Sequence, residues 1–243
     1  MIRISCYIDA GARAGEKQND DRAAVCGTVL KEGFYTCCRP DAALFAVCDG
    51  VGGEAFGYAA AEAAAGCVAA EDGKDMDGED LRQMILSANR AVLDIQKKAP
   101  EMSEMATTVS GLYLTGTECL CFNVGDSRVY RFLGGFLKQM TEDDKLGGHV
   151  LSKWVGMPGL EPSVRILPPP VPGCVYVACS DGVSDTLSFE EWESSLKEYA
   201  DGSLSAEDLC RSLVEKAIAN GSEDNCTLII AEILSPEGER YGA

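Results

Sequence analysis

Four short runs of β-forming residues each meet an aspartate at one end. Asp49, Asp126 and Asp181 follow the runs LFAVC, CFNVG and VYVACS, and Asp224 precedes the run NCTLIIAEI. Such runs predict buried strands, and aspartate is disfavoured inside a strand, so we expect all four at strand ends. Carboxylates gathered at one end of a sheet repel one another unless a cation binds there. The pattern therefore predicts a site for a hard metal ion that prefers oxygen ligands.

The remaining elements fall into two groups, each a set of strands followed by two helices. The alanine-rich stretch 55–71 and the periodic stretch 79–98 predict the first helix pair. Stretches 188–200 and 205–220 predict the second pair, and both begin with sequences that resemble capping boxes. This order favours an α+β fold with mostly antiparallel sheets and helices outside them. Strands are predicted at 2–8, 22–30, 42–48, 163–167, 225–233, in VYVACS and along the segments TTVSGLYLTG, ECLCFNVG, SRVYRFLGG and FLKQM.

Charge and apolar patterning exclude two classes of partner. The chain of 243 residues has 21 basic and 39 acidic residues, a formal net charge of −18. It therefore offers no basic surface to neutralise nucleic-acid phosphates. No apolar stretch approaches the roughly 20 residues needed to span a bilayer, and the N-terminus has no signal-peptide core, so we expect a cytoplasmic protein without membrane contact. Repeats, long charge runs and linkers are absent from the sequence, which predicts a single domain over residues 1–243.

Histidine and cysteine usage limits the chemistry. The single histidine, His149, excludes a multi-histidine zinc site and argues against Ser-His-Asp or Cys-His catalysis. The 12 cysteines form no C-x-x-C pair, and we expect free thiols in a reducing cytosol. Carboxylates, water and metal ions are therefore the expected agents of any reaction.

Seven short motifs occur along the chain. In chain order they are NDD (19–21), VCDGVGG (47–53), MATT (105–108), NVGDSRVYRF (123–132), MTEDD (140–144), CSDGVSD (179–185) and EDNCTLII (223–230). The series resembles the metal-dependent serine/threonine protein phosphatases of type 2C, in their compact bacterial form, from about residue 9 to residue 233. The resemblance implies a four-layer α-β-β-α sandwich, with two mostly antiparallel sheets packed face to face, helix pairs outside them and a reduced flap segment after residue 144.

The resemblance also implies a centre of two Mn²⁺ or Mg²⁺ ions. Asp49 is then the carboxylate that bridges them, and the backbone carbonyl of Gly50 binds one of them. Asp181 and Asp224 hold the other ion. These aspartates act in catalysis through metal-bound water, because two metal ions can share a water that ionises near neutral pH and attacks phosphorus.

Four further aspartates receive accessory roles from the resemblance. Asp21 matches an aspartate of the family, and Asp20 lies where a glutamate is usual; both are expected to act partly through metal-bound water. Asp126 and Asp185, together with Asp181, match positions associated with a third, weaker metal ion in some relatives.

The group that binds substrate phosphate is left open between two residues. The family usually places an arginine shortly before the NDD-like motif, but this chain has Glu16 and Lys17 there, and Arg13 lies further upstream. Lys17 would lack the forked geometry with which arginine binds phosphate. Val51 lies where some relatives carry a histidine, so a side-chain acid for the leaving group is not expected.

These implications predict a metal-dependent phosphatase that hydrolyses phosphoserine and phosphothreonine in proteins. Its expected partners are phosphorylated proteins that are substrates of a bacterial-type Ser/Thr kinase, and the chain is expected to act as a monomer. Two alternatives stay open. One is a catalytically weak relative that binds phosphoproteins; the other is a phosphatase of a small molecule or of a single partner.

Overall fold

The structure is a computed structural model that describes residues 1–13, 18–51, 56–148 and 150–234. In these ranges the strands are β1 (Ile2–Asp9), β2 (Arg22–Val25), β3 (Thr28–Leu30), β4 (Gly33–Arg39), β5 (Ala42–Cys48), β6 (Gly50–Val51), β7 (Ala106–Thr107), β8 (Val109–Thr115), β9 (Cys119–Val124), β10 (Arg128–Leu133), β11 (Phe136–Gln139), β12 (Lys145–Gly147), β13 (Val150–Leu151), β14 (Ser163–Leu167), β15 (Val175–Cys179) and β16 (Cys226–Ile233). The α-helices are α1 (Gly57–Ala69), α2 (Gly78–Lys98), α3 (Asp181–Ser184), α4 (Phe189–Ala200) and α5 (Ala206–Ala219).

Two six-stranded sheets form the centre of the fold. The first has the strand order β11-β10-β15-β16-β1-β4, and the second has the order β14-β9-β8-β5-β2-β3. Every described pairing within them is antiparallel. The short pairs β6-β7 and β12-β13 lie outside these sheets.

Three separate apolar cores show that the sheets and helices form four layers. One core joins α1 and α2 to the second sheet and contains Ala64, Ile85 and Phe122. A second core lies between the sheets, and the third joins α4 and α5 to the first sheet. Burial of both faces of each sheet explains the near-continuous apolar runs in their central strands. The predicted α+β, four-layer α-β-β-α sandwich is therefore confirmed.

The four predicted helices of the two pairs are present, and their caps follow the sequence. Ser188 and Glu191 form a complete capping box at the start of α4. Ser205 caps α5 by accepting from the backbone N–H of Asp208. A further capping box, at Asp77, begins α2 and has no counterpart in the sequence-based predictions. No helix in the described ranges combines the length and apolar character needed to cross a membrane.

The first hairpin corrects one strand prediction. Residues 22–30 were expected to form one strand, but β2 and β3 are separated by a turn at Cys26 and Gly27, which have φ angles of 52° and 75°. Two consecutive residues with positive φ match the turn that suits the twist of a tight hairpin. Cys-Gly is an uncommon pair for that turn, so the apolar run concealed it.

Strand β4 was not predicted, and it holds the second correction. Its residues alternate between exposed and half-buried because it lies at the edge of the first sheet, beside β1. Cys37 in β4 forms a disulfide with Cys26 in the hairpin turn, so the expectation of free thiols is wrong for this pair. The other ten cysteines are free, and most of them are buried.

Sheet topology explains why the aspartates meet. Strands β5 and β9 both pair antiparallel with β8, so they run in the same direction. Their C-terminal ends therefore lie at the same end of the second sheet. In the first sheet β15 pairs antiparallel with β16, so the end of β15 lies beside the start of β16. These ends carry Asp49, Asp126, Asp181 and Asp224, which gathers carboxylates from both sheets at one end of the sandwich.

The central strands approach so closely at Gly111 that we expect a larger side chain there to destabilise the fold. A Cβ atom on Gly111 would lie 2.1 Å from the carbonyl oxygen of Phe45 and 2.7 Å from Cζ of Phe122. Gly111→Ala is expected to lower the free energy of unfolding by about 3 kcal/mol, because a packed core cannot absorb the added methyl group. Urea denaturation followed by circular dichroism measures this. Gly116→Ala is the matched control, since no atom lies within 4 Å of its Cβ position; equal stability of the two variants would contradict the prediction.

Candidate metal centre

The four strand-end aspartates line one cavity of about 610 Å³. Asp20 and Asp185 also contribute to its wall, so it carries six aspartates from distant parts of the chain. Asp21 is not part of the wall and is almost completely buried. The described residues that line the cavity are Ala10, Gln18, Asp20, Asp49, Gly50, Val51, Asp126, Leu151, Asp181, Gly182, Asp185, Thr186, Gly221, Ser222, Glu223, Asp224 and Asn225.

Two buried threonines fix the backbone of Asp49. The N–H of Asp49 donates to Oγ1 of Thr108 at 3.0 Å, and its carbonyl oxygen accepts from the hydroxyl of Thr107 at 2.7 Å and from the N–H of Thr108 at 2.8 Å. The hydroxyl of Thr108 also contacts that of Ser127 at 2.7 Å. These bonds show that Thr107 and Thr108 of the MATT motif support Asp49, and that Ser127 of the GDS motif contacts Thr108.

The turn that places Asp126 depends on the same threonine. Gly125 has a φ of 102°, and a Cβ atom there would lie 2.6 Å from Cγ2 of Thr108. Glycine is therefore required both for the backbone conformation and for the packing. Its carbonyl oxygen accepts from Asp144 N–H at 2.9 Å and its N–H donates to the carboxylate of Asp144 at 3.2 Å, which attaches the MTEDD segment to this turn.

Asp181 lies at the start of the one-turn helix α3, against the segment that carries Asp224. A Cβ atom on Gly182 would lie 2.1 Å from the carbonyl oxygen of Asn225, so only glycine permits this approach. Just before α3, the hydroxyl of Ser180 donates to Oδ2 of Asp21 at 2.8 Å and accepts from Thr227 N–H at 2.9 Å. Asp21 is thus held beneath the cavity wall, next to Asp181.

Asn225 joins three segments at the site. Its side chain accepts from the backbone N–H of Asp20 at 2.8 Å and donates to the carbonyl of Ala10 at 3.1 Å. The bond that reaches Asp224 comes from the backbone N–H of Asn225, at 2.8 Å from Oδ1 of Asp224. Asn225 therefore supports Asp224 and also attaches the N-terminal loop to the site. Gly11 packs there as well, since a Cβ atom on it would lie 2.0 Å from the carbonyl oxygen of Asp224.

Asp20 has a visible structural role besides its predicted metal role. Its Oδ1 accepts from the backbone N–H of Tyr58 at 3.0 Å, which places a carboxylate at the N-terminus of α1. A negative charge stabilises that end of a helix. Gly50 and Gly57 pack backbone to backbone at the same place, and a Cβ atom on Gly50 would lie 2.5 Å from the carbonyl carbon of Gly57. Gly50, in the DG-x-GG motif, thus lets α1 approach the site.

Burial and like charge raise the pKa values of three carboxylates at the centre, those of Asp49, Asp181 and Asp21. Burial raises the pKa of Asp49 well above its usual value, and Asp21, Asp181, Asp224 and Asp126 raise it further. Burial, followed by neighbouring aspartates, raises the pKa of Asp181 to about 6. Burial likewise raises the pKa of Asp21 to about 7, although hydrogen bonds from Thr227 and Ser180 oppose the shift. A bound cation would favour the ionised forms.

The donor set fits Mn²⁺ or Mg²⁺. The wall offers carboxylate oxygens and no described cysteine or histidine, as hard ions require. Within the described ranges, no three Asp, Glu, His or Cys side chains are already grouped tightly enough to bind an ion by themselves. The carboxylate oxygens of the wall are ligands that hard divalent ions prefer.

Two basic side chains already bind the carboxylates at the far side of the cavity. Lys145 Nζ lies 2.9 Å from Oδ2 of Asp126 and 3.2 Å from Oδ2 of Asp185. Arg128 lies 2.9 Å from Oδ1 of Asp185 and 2.7 Å from Oδ2 of Asp143. Burial alone would lower the pKa of Lys145, but Asp126 and Asp185 outweigh that effect and raise it. Lys145 was missed from the sequence, although it directly follows the acidic MTEDD motif.

The phosphate-binding candidates are only partly visible. Lys17 lies outside the described residues, as does the side chain of Arg13. The backbone of Arg13 belongs to the 3₁₀ turn Gly11–Arg13, which packs against Asp224 through Gly11. No lysine or arginine is among the described residues that line the cavity.

A short hairpin lies beside the cavity, in the segment where a reduced flap was predicted. Strands β12 and β13 form this hairpin, and Leu151 in β13 lines the cavity. His149 in its loop lies outside the described residues. The following turn is attached to α2, because Asn89 accepts from Gly156 N–H at 2.6 Å and donates to the carbonyl of Met157 at 3.0 Å. The hairpin therefore contributes to the cavity wall through Leu151.

Comparison with known proteins identifies the family. The family model for protein phosphatase 2C matches residues 21–218, so this chain belongs to the protein phosphatase 2C family. The match includes the predicted metal residues from Asp21 to Asp185; Asp20 and Asp224 lie just outside it.

Among curated relatives, the serine/threonine protein phosphatase PstP of Mycobacterium tuberculosis is 26% identical over 217 residues, which are 79% of this chain and 41% of that protein. This chain thus spans about two fifths of the length of that relative. The serine/threonine phosphatase stp of Listeria monocytogenes is 25% identical over 212 residues, 76% of this chain and 82% of that protein.

Solved structures share the fold. Stp1 from Staphylococcus aureus has a TM-score of 0.81 and 21% identity, covering 97% of this chain and 96% of that one. The catalytic domain of PstP, solved in complex with two manganese ions, has a TM-score of 0.77 and 24% identity, covering 97% of this chain and 100% of that one.

The support of Asp49 by Thr108 can be tested. Thr108→Val removes the acceptor of the Asp49 N–H. It is expected to lower the free energy of unfolding by about 1–3 kcal/mol, because a buried donor loses its partner. It should also weaken Mn²⁺ binding about 10-fold or more, because a supporting bond to a ligand is lost. Urea denaturation and isothermal titration calorimetry measure the two effects. The exposed Thr117→Val is the control; wild-type stability and affinity in Thr108→Val would refute the assignment.

Proposed function

We propose that this chain is a metal-dependent protein phosphatase that hydrolyses phosphoserine and phosphothreonine. The observation that carries the proposal is the convergence of Asp49, Asp181 and Asp224 on one cavity in a member of the protein phosphatase 2C family. The names of the curated relatives, serine/threonine phosphatases, support the substrate class.

In this proposal two Mn²⁺ or Mg²⁺ ions are held by Asp49, the Gly50 carbonyl, Asp181 and Asp224, with Asp20 and Asp21 acting through water. When bound, such ions activate water for attack on phosphorus and offset the charge of the transferring phosphoryl group.

The protein supplies a rigid carboxylate frame for this reaction. Asp49 is held by backbone bonds to Thr107 and Thr108, and the segments of Asp181 and Asp224 are locked together at Gly182. Such fixed positions stabilise a reaction centre because little rearrangement is needed during the reaction. Asp20 is additionally committed to the N-terminus of α1, which supports an outer rather than a direct role for its carboxylate.

Substrate phosphate requires a cation besides the metals, and Arg13 or Lys17 is proposed to provide it. The described part of the wall offers no basic side chain for this role. The 3₁₀ turn Gly11–Arg13 packs against Asp224 at Gly11, which supports Arg13, and Lys17 stays open as the alternative.

The setting of the enzyme is part of the proposal. We infer a single phosphatase domain that acts as a cytoplasmic monomer on proteins phosphorylated by a bacterial-type Ser/Thr kinase. The net charge of −18 argues against nucleic-acid partners.

Hydrolysis of p-nitrophenyl phosphate tests the reaction. We expect turnover with Mn²⁺, loss of turnover with EDTA, and a decrease of at least about 100-fold in Asp181→Asn, which loses a metal-binding charge. Asp94→Asn is the matched control, because Asp94 is an exposed residue of α2, far along the chain from the site, whose carboxylate contacts Lys97. Activity that survives EDTA would refute the mechanism.

The same preparations separate the alternatives. Mn²⁺ binding with phosphopeptide binding but no turnover would indicate a phosphoprotein-binding relative. Turnover of small phosphate esters without turnover of phosphoserine or phosphothreonine peptides would indicate a small-molecule phosphatase.

A further inference from the structure

The predicted third metal position holds a side-chain cation. Lys145 Nζ lies between Oδ2 of Asp126, at 2.9 Å, and Oδ2 of Asp185, at 3.2 Å. The lysine side chain is only 15% exposed, and those of Asp126 and Asp185 are 7% and 28% exposed. The contact is therefore a partly buried, two-sided ion pair, in which solvent screens the attraction less than at a surface.

The remaining oxygen of Asp185 is also committed. Its Oδ1 lies 2.9 Å from Arg128, whose guanidinium binds Asp143 through two nitrogens. Each carboxylate oxygen of Asp185 thus contacts a basic side chain. A third metal ion held by Asp126 and Asp185 would have to displace an ammonium group and would lie beside a second positive charge.

From these contacts we propose that the ammonium group of Lys145 takes the place of the third metal ion. Asp126, Asp181 and Asp185 then bind no third ion, and the chain binds only the ions of the two-metal centre. The inference rests on the proposed function insofar as it takes the family's metal positions as the reference. Lys145 neutralises part of the carboxylate cluster permanently, at any metal concentration.

Lys145 also ties the flap hairpin to the centre. It is the first residue of β12, and the preceding Asp144 bonds to Gly125 on one side and to Lys153, at 3.1 Å, on the other. The carbonyl of Asp144 accepts from Ser152 N–H at 2.7 Å. The hairpin therefore starts from an ion pair inside the site.

A role for Lys145 in binding substrate phosphate fits the structure less well. Lys145 is not among the residues that line the cavity, and two carboxylates already hold its ammonium. Binding phosphate would require it to leave both of them.

Counting bound Mn²⁺ tests the inference. Lys145→Met removes the charge while keeping a similar length, and Lys145→Arg keeps the charge. Electron paramagnetic resonance of free Mn²⁺ during titration of each purified, folded protein gives the number of bound ions. We expect Lys145→Met to bind one more Mn²⁺ than the wild type, and Lys145→Arg to bind the same number as the wild type. Equal numbers in Lys145→Met and the wild type would overturn the inference.

A second measurement does not depend on whether the Lys145 variants fold. Asp126→Asn in the otherwise unchanged protein should bind as many Mn²⁺ ions as the wild type, because Lys145 and not an ion uses that carboxylate. Loss of one ion in Asp126→Asn would contradict the proposal. The proposed function is judged separately, by the turnover of the wild type and the total number of ions it binds, whereas Lys145 is judged by differences between variants.

Discussion

Repulsion among buried carboxylates is the constraint around which this protein is organised. Six aspartates line one cavity at the end of a two-sheet sandwich, and burial together with like charge raises the pKa values of Asp49 and Asp181. Positive charge must offset this repulsion. On one side Lys145 and Arg128 supply it from the chain itself. On the other side the oxygen donors suit divalent ions, and the two halves together define the proposed phosphatase centre.

The rest of the site resists the repulsion through backbone contacts. Gly50 against Gly57, Gly182 against Asn225 and Gly125 against Thr108 are approaches that any side chain would block. Hydrogen bonds from buried hydroxyl groups further stabilise the segments that these contacts hold together. Because the supports come from both sheets and from α1, the positions of the carboxylates depend on the packing of the whole sandwich.

Local sequence signals predicted the elements well and their junctions less well. The helices at 188–200 and 205–220 follow from periodicity and caps, and the strand-end aspartates follow from the low tolerance of strands for carboxylates. The turn at Cys26 was missed because its residues are not usual turn formers. Strand β4 was missed because an edge strand has no continuous apolar run. The disulfide joins Cys26 in this turn to Cys37 in β4, so it could not be predicted while both elements were missed.

The sequence alone determined the class of this protein: its ordered motifs fix a carboxylate centre, an α+β sandwich and the protein phosphatase 2C family. It did so because strand ends and ligand types are local properties that each motif carries by itself. Tertiary structure alone decided how each charge is matched. Three of these contacts join distant segments. Lys145 pairs with Asp126 and Asp185. Asp20 accepts a hydrogen bond at the N-terminus of α1, and Asn225 donates one to the loop at Ala10. Electrostatic and hydrogen-bond energies depend on distances between such segments, which appear only when the two sheets pack together.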